Sequence, residues 1–459
     1  MRRTLFTLAV TASLGLGSYA AGCSSTTGSG FGDDDGGNSD GGRSCGITGC
    51  SDPDSGDGQR GCINLECQRQ NCTSGPLTSV SGKVFDPKGE VPLYNVVVYI
   101  PNSEPKPITH GATCETCGST AVNPVGEAVL TNTKGEFTIP NAPVGDDIPL
   151  VIQVGKWRRE LKIKVEACKD NKFTDPQKMR LPRNKSEGEM PKMALTTGGC
   201  DPFGCLFSRL GIDKSEFTSP SGNGNVHVYQ GVGGGNVQGG GSPNPQSSLW
   251  NDVNNLKKYD IVLLSCECDE ENGTKPAAAK KAMRDYLNAG GRVFATHYHY
   301  TWFKNGEPDL AGLANWTGGS SSAPYAVDQT FPKGQALAEW LQVIGATPNK
   351  GVIDLSGTAN DVGTVKAGAQ RWISSGTGTG SESVKYFTFN APVGAKPDDQ
   401  CGRGVMSDLH VSSAGGSDAN LPSGCNTTQL TPQERALEFM FFDLSSCVQD
   451  DKIPPTPPK

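Results

Sequence analysis

The hydrophobic pattern changes character four times along the chain. Residues 5–21 are apolar and uncharged, preceded by Arg2 and Arg3 and leading through Ala20, Ala21 and Gly22 to Cys23. A short basic start, an apolar stretch and small residues form a secretory signal and not a folded helix. The stretch is too short and too weakly flanked for a transmembrane span. Residues 24–44 are Ser, Thr, Gly and Asp with hardly an apolar position. That composition makes a tether, because it has nothing with which to bury a core.

From residue 79 the pattern becomes that of short strands. Val80, Gly82 and Val84 alternate, residues 93–101 form a β-branched and aromatic run, and residues 126–145 hold two strands joined at Lys134 and Gly135. Two more lie within 149–165. Short strands punctuated by Gly, Pro and Asn predict an antiparallel β-sandwich. Residues 166–190, rich in Lys, Asn, Pro and Glu, read as a connector.

Beyond the connector, strand and helix periods alternate. Strands are predicted over 192–196, 226–229, 259–265 and 292–296, and helices over 202–210, 250–258, 276–289 and 335–344. The run 259–265 is continuously apolar, as a strand buried on both faces requires. The 276–289 helix has Pro276 at its start, Ala279, Met283, Tyr286 and Leu287 on one face, and Gly290 as a stop. A last helix starts at Thr431 and Pro432, with Glu434 closing a capping box. This order predicts an open, mostly parallel, flavodoxin-like α/β sheet. It excludes an eight-fold (β/α) barrel, since eight regular strand–helix units are missing. The resulting division is a signal peptide at 1–22, a stalk at 23–75, a β-sandwich at 76–168, a connector at 169–189, an α/β domain at 190–448 and a disordered Pro-rich tail at 449–459.

Composition adds three constraints. A length of 459 residues suits two or three domains, and a net charge of -7 without a basic patch excludes a nucleic-acid partner. The 16 cysteines read first as disulfide partners in an exported chain. Cys45, Cys50, Cys62, Cys67 and Cys72 cluster at the end of the stalk without the CxxC spacing or nearby His of a zinc knuckle, which favours a small disulfide knot. Cys114, Cys117, Cys200, Cys205, Cys266, Cys268, Cys401 and Cys425 are further candidates. Setting Cys23 aside for a lipid leaves 16 − 1 = 15, so at least one thiol is free or pairs outside the chain.

Three resemblances sharpen this reading. Ala20-Ala21-Gly22-Cys23 resembles a bacterial lipobox, with Ala20 where Leu is usual. It implies lipidation of Cys23 and a membrane-anchored, extracytoplasmic place in the cell envelope, at the outer membrane or cell surface. Val80-x-Gly82-x-Val84, Leu93-Tyr94-Asn95-Val96, Thr131-x-Thr133-Lys134-Gly135-Glu136-Phe137 and Asn141-Ala142-Pro143-Val144-Gly145 resemble the carboxypeptidase regulatory-like, transthyretin-like module. That module implies a non-catalytic spacer or binding domain. Residues 259–265, the following helix and the segment Leu287 to His297 through Gly290-Gly291 resemble a class I glutamine amidotransferase-like domain, as does Cys401-Gly402-Arg403-Gly404-Val405-Met406-Ser407-Asp408-Leu409-His410.

In that family a nucleophilic cysteine stands at the turn after the Gly-Gly strand. Here the turn reads Thr296-His297-Tyr298-His299-Tyr300, so glutaminase chemistry is not expected. His297 and His299 lie two apart near a strand end, and Asp408 and His410 repeat that spacing. Such pairs at the C-terminal edge of an α/β sheet are candidate ligands for Zn or another divalent metal. The bland alternative is a hydrogen-bonded polar cluster with the nearby tyrosines. Two functions follow. The first is a lipid-anchored envelope protein with a non-enzymatic binding or structural ectodomain, whose partners are the membrane and an unidentified ligand or envelope component. The alternative is an extracytoplasmic metal-assisted hydrolase using His297, His299, Asp408 and His410.

Overall fold

Strict alternation along Glu136–Pro140 turns Phe137 and Ile139 inward and leaves Glu136, Thr138 and Pro140 exposed, the pattern of a strand with one wet face. In the computed structural model, which describes residues 61–117, 122–319, 323–375, 382–412 and 416–458, this strand pairs antiparallel with Ser79–Lys83. Cys23, Cys45, Cys50 and the residues predicted as signal peptide lie outside the described residues.

Ser79–Lys83 also pairs in parallel with Asp170–Phe173, completing a three-stranded sheet. A four-stranded antiparallel sheet runs Val129–Leu130, Val97–Tyr99, Gly145–Val154, Trp157–Val165. Asp170–Phe173 falls in the segment read as connector and breaks the expected antiparallel rule. Its polar sequence hides a strand held by side chains: Ser79 and Ser81 donate to Asp170 at 2.8 and 2.7 Å, and Asn171 donates to the Glu166 carbonyl at 2.9 Å.

The second part is built on a ten-stranded mixed sheet. Parallel pairing runs through Gly402–Ser407, Arg292–Thr296, Ile261–Leu264, Met193–Thr196, Val226–Tyr229 and Phe217–Thr218. Four strands then join antiparallel beside Gly402–Ser407: Ser383–Ala391, Ala369–Ser375, Tyr325–Val327 and Val352–Ile353. The predicted strand 292–296 is reproduced, and the helix read at 276–289 spans Ala277–Asn288. The helix read at 250–258 is two short turns, Ser247–Trp250 and Val253–Leu256. From the Met193–Thr196 strand the chain runs first to one side of the sheet and later, at Ile261–Leu264, to the other. Open α/β sheets bind ligands outside the C-terminal strand ends at such a reversal.

The Pro432–Ser445 helix joins the two parts. Thr431 and Glu434 make the reciprocal capping box, and Glu434 also pairs at 2.6 Å with Arg209. On the opposite side Trp157, fully buried, meets Phe441 edge to face at a centroid distance of 5.8 Å. Phe439 and Tyr94 stack at 5.8 Å. One hydrophobic core therefore runs from the small sheets through this helix to the large sheet. The tail expected to be disordered is pinned at Asp451, buried against Arg403 at 2.8 Å. Its Pro-rich composition carries no trace of that distant guanidinium.

Six disulfides lie among the described residues: Cys62–Cys67, Cys72–Cys168, Cys114–Cys401, Cys117–Cys447, Cys200–Cys268 and Cys205–Cys425. Cys168 and Cys447 stand outside the sequence-derived set. Cys114 and Cys117 bridge to Cys401 and Cys447 and so tie their segment to the large-sheet part. Among the described residues no helix is long and apolar enough to cross a membrane.

Candidate functional site

Four neighbouring parallel strands deliver the site. Met193–Thr196 leads to Asp201, Ile261–Leu264 to Cys266, Arg292–Thr296 to His297, and Gly402–Ser407 to Asp408 and His410. Each side chain stands one to five residues beyond the C-terminal end of its strand, the edge the topology leaves open.

Cys266 is a correction to the sequence reading. Expected as a disulfide partner, it is a free, buried thiol, while Cys268 pairs with Cys200. The Cys266 Sγ lies 3.3 Å from His297 Nδ1. Burial, reinforced by the carboxylates of Asp201 and Asp361, pushes this thiol up to about 11.

His297 occupies the elbow between the Arg292–Thr296 strand and the turn His297–Tyr300, at φ 42°. A side chain held in this left-handed region stores on the order of 1–3 kcal/mol and persists only where its surroundings fix it. Its Nε2 lies 3.6 Å from Asp361, and its ring meets that of His410 at a centroid distance of 4.8 Å. Burial, then the neighbouring His410 and His299, lowers its pKa to about 3, so the imidazole is neutral at physiological pH.

His410 Nδ1 sits 3.2 Å from the Gly357 carbonyl. A carbonyl only accepts, so Nδ1 carries the proton and Nε2 presents a bare lone pair. That Nε2 is buried without a hydrogen-bond partner. Cys266, His297 and His410 each offer a donor atom within 4.8 Å of the others, the dimension of a metal-ligand set.

His299 and Asp408 have other roles. His297 and His299, expected near a strand end, lie instead in a 3-10 turn, His297–Tyr300. His299 is buried, donates from Nε2 to the Ser265 carbonyl at 2.7 Å and accepts at Nδ1 from Trp302 at 3.1 Å. Both ring nitrogens are used, leaving no lone pair for a metal. Changing His299 to Ala is expected to cost about 1–3 kcal/mol by stranding these two partners, measured by urea unfolding. An unchanged unfolding midpoint would contradict that role. Asp408 is also buried and accepts from the Asp361 backbone at 3.0 Å. Burial, then the Asp361 charge, raises its pKa well above the usual carboxylate range. It holds the Asp361 loop. Trp302 is core, edge to face with Trp250 at 4.8 Å.

Asp201, Asp361 and the free Cys266 are the site residues that sequence reasoning missed. Setting Cys23 aside for a lipid implied at least one thiol free or paired outside the chain, without saying which. Asp361 sits in a loop with no local signature, and only the strand order brings it to His297.

No family model matches the chain, and no curated protein matches it. Among solved structures, a chain in a type II cohesin–X-dockerin complex of Acetivibrio cellulolyticus is similar over 30% of this chain and 85% of its own, at 16% identity and a TM-score of 0.17. A likeness that slight carries no argument about fold or function.

Proposed function

We propose that this chain is a lipid-anchored, extracytoplasmic protein of the bacterial cell envelope whose ectodomain binds or braces and does not catalyse. The observation that carries this reading is the disulfide pattern. Three bridges join residues 220, 287 and 330 positions apart. Such long-range bridges persist in oxidising compartments and are rare in a reducing cytosol. Export is what the basic start, apolar run and Cys23 imply, and residues 23–75 then serve as the tether.

On this reading the small sheets over 76–168 form the carboxypeptidase regulatory-like spacer. Residues 190–448 form a flavodoxin-like, amidotransferase-like domain turned to binding. Two features of the site support the absence of thiol catalysis. The residue at the strained elbow is His297, and the one nearby thiol, Cys266, is fully buried. The alternative, a metal-assisted hydrolase at the same edge, is favoured by a single observation, the convergence of Cys266, His297 and His410.

Expression in a bacterium with a lipoprotein pathway tests the anchor. The wild-type chain is expected to fractionate with membranes and to incorporate a labelled fatty acid. Cys23→Ala is expected to lose the label and accumulate as precursor. A wild-type chain that is soluble, or whose label survives Cys23→Ala, overturns the proposal.

A further inference from the structure

We propose that Cys266 Sγ, His297 Nδ1 and His410 Nε2 together bind one thiophilic divalent cation of the Zn(II) class, with Asp361 and the Gly357 carbonyl orienting the two imidazoles. This assignment goes beyond the envelope reading and stands or falls separately from it.

Geometry is the first support. Metal–sulfur and metal–nitrogen bonds of about 2.3 and about 2.05 Å at a tetrahedral angle place adjacent ligand atoms ~3.5 Å apart. The Cys266 Sγ to His297 Nδ1 separation is 3.3 Å. His410 offers the third ligand atom, within 4.8 Å of the other two.

Tautomers are the second support. A metal-binding histidine almost always donates its other N–H to a carboxylate or carbonyl, which fixes the ring and leaves the ligating nitrogen bare. His410 follows that pattern, its Nδ1 facing the Gly357 carbonyl at 3.2 Å; His297 Nε2 has the Asp361 carboxylate at 3.6 Å, a charge contact longer than a hydrogen bond. The remaining nitrogen of His297, Nδ1, lies 3.3 Å from the Cys266 thiol. His410 Nε2 is otherwise an unsatisfied buried nitrogen, the kind of orphan that native structures rarely leave without a ligand or ion.

Rigidity is the third. Cys266 is two residues from Cys268, which Cys200 locks in place, and the Cys200 backbone N–H donates to the Cys266 carbonyl at 3.1 Å. The elbow fixes His297. Cys266 alone among the described cysteines is unpaired, consistent with a thiol reserved for another bond.

Binding replaces the Cys266 S–H bond with a sulfur–metal bond and releases one proton to solvent. One thiolate and two imidazoles select zinc, cobalt or copper over magnesium and calcium, which take oxygen ligands. Three protein ligands leave a fourth tetrahedral position for a water or a small ligand's donor atom.

The test uses the full chain, purified in detergent and stripped with a chelator. Addition of Co(II) is expected to bind one equivalent and to produce a thiolate-to-cobalt band in the near ultraviolet, bleached by Zn(II). X-ray absorption of the zinc form is expected to show one sulfur and two imidazole nitrogens from the protein. Cys266→Ser is expected to lose the near-ultraviolet band. Asp361→Asn keeps the band and weakens affinity by roughly 10–100-fold. Absence of the band in the wild type, an oxygen-only or sulfur-rich shell, or a band surviving in Cys266→Ser overturns the assignment. The wild-type spectra decide the matter even if the variants fail to fold.

Discussion

Replacing Arg403 with Met is expected to destabilise the chain by about 3–5 kcal/mol, the cost of breaking a buried ion network from one side. Arg403 is 1% exposed and touches Asp443 and Asp451, each at 2.8 Å, and the Asn390 side chain at 2.8 Å. Lys333 completes the set, 2.7 Å from Asp443 and 3.6 Å from Asp451. Two cations and two carboxylates balance within a site closed to water. Burial alone would raise the Asp443 pKa, yet Lys333 and Arg403 hold it below the usual carboxylate range. Without Arg403 two buried carboxylates share a single lysine. Thr388, which donates to Asp451 at 3.0 Å, is too weak a donor to compensate. Guanidinium unfolding gives the loss directly. Because Asp451 ties the C-terminal segment, limited digestion by a carboxypeptidase is expected to trim the variant faster than the wild type. A loss under about 1 kcal/mol would mean the network is structurally incidental.

This network also shows where the sequence is legible and where it is not. The Arg292–Thr296 strand and the Pro432–Ser445 helix could be read locally: one is a short apolar run after Gly290-Gly291, the other begins with Thr431, Pro432 and Glu434. Their signals lie within a few residues of the structure they specify. Asp170–Phe173 is different, because its strand character comes from Ser79 and Ser81 some ninety positions away. Asp451 likewise takes its place from Arg403. The site divides along the same line. His297 and His410 were identifiable as rare residues near strand ends, but which nitrogen faces which partner depends on Asp361 and Gly357. His299 shares the spacing of His297 and yet is turned into the core by a single helical turn. The pairing of Cys268 with Cys200, which frees Cys266, depends on the order of strands in the sheet. No spacing rule supplies that order.

Raising the pH from 5 to 9 is expected to weaken the junction between the small sheets and the Pro432–Ser445 helix, with Glu438 as the main cause. Glu438 is fully buried; Arg435 donates to its Oε2 at 2.7 Å and its Oε1 has no partner. Across the junction Asp86 accepts from the Glu90 and Val91 backbone, and its second oxygen is also without a partner. Glu90 lies 3.7 Å from Arg435. Lys88 pairs with Glu90 at 2.7 Å, so the Arg435 guanidinium is left chiefly to Glu438 and Asp86. Burial, then the charge of Asp86, pushes Glu438 up to about 8, and burial pushes Asp86 up to about 6. Both values are raised above those of the unfolded chain, ~4 for such carboxyls. The fold therefore favours their protonated forms. That contribution is complete below the unfolded values and is lost as pH rises through about 6 for Asp86 and about 8 for Glu438. At about 1.4 kcal/mol per pKa unit, the Glu438 contribution has a ceiling on the order of 5 kcal/mol. Glu438→Gln keeps the shape and removes the charge. It is expected to flatten most of the pH dependence and to exceed the wild type in stability at pH 9, while the two converge near pH 5. Thermal unfolding at several pH values reads this. Amide protection in the turn at 86–91, corrected for the base-catalysed intrinsic exchange rate, should fall with pH in the wild type only. Parallel stability profiles for the two chains would show that Arg435 already neutralises Glu438, and that the junction carries no ionisable weak point.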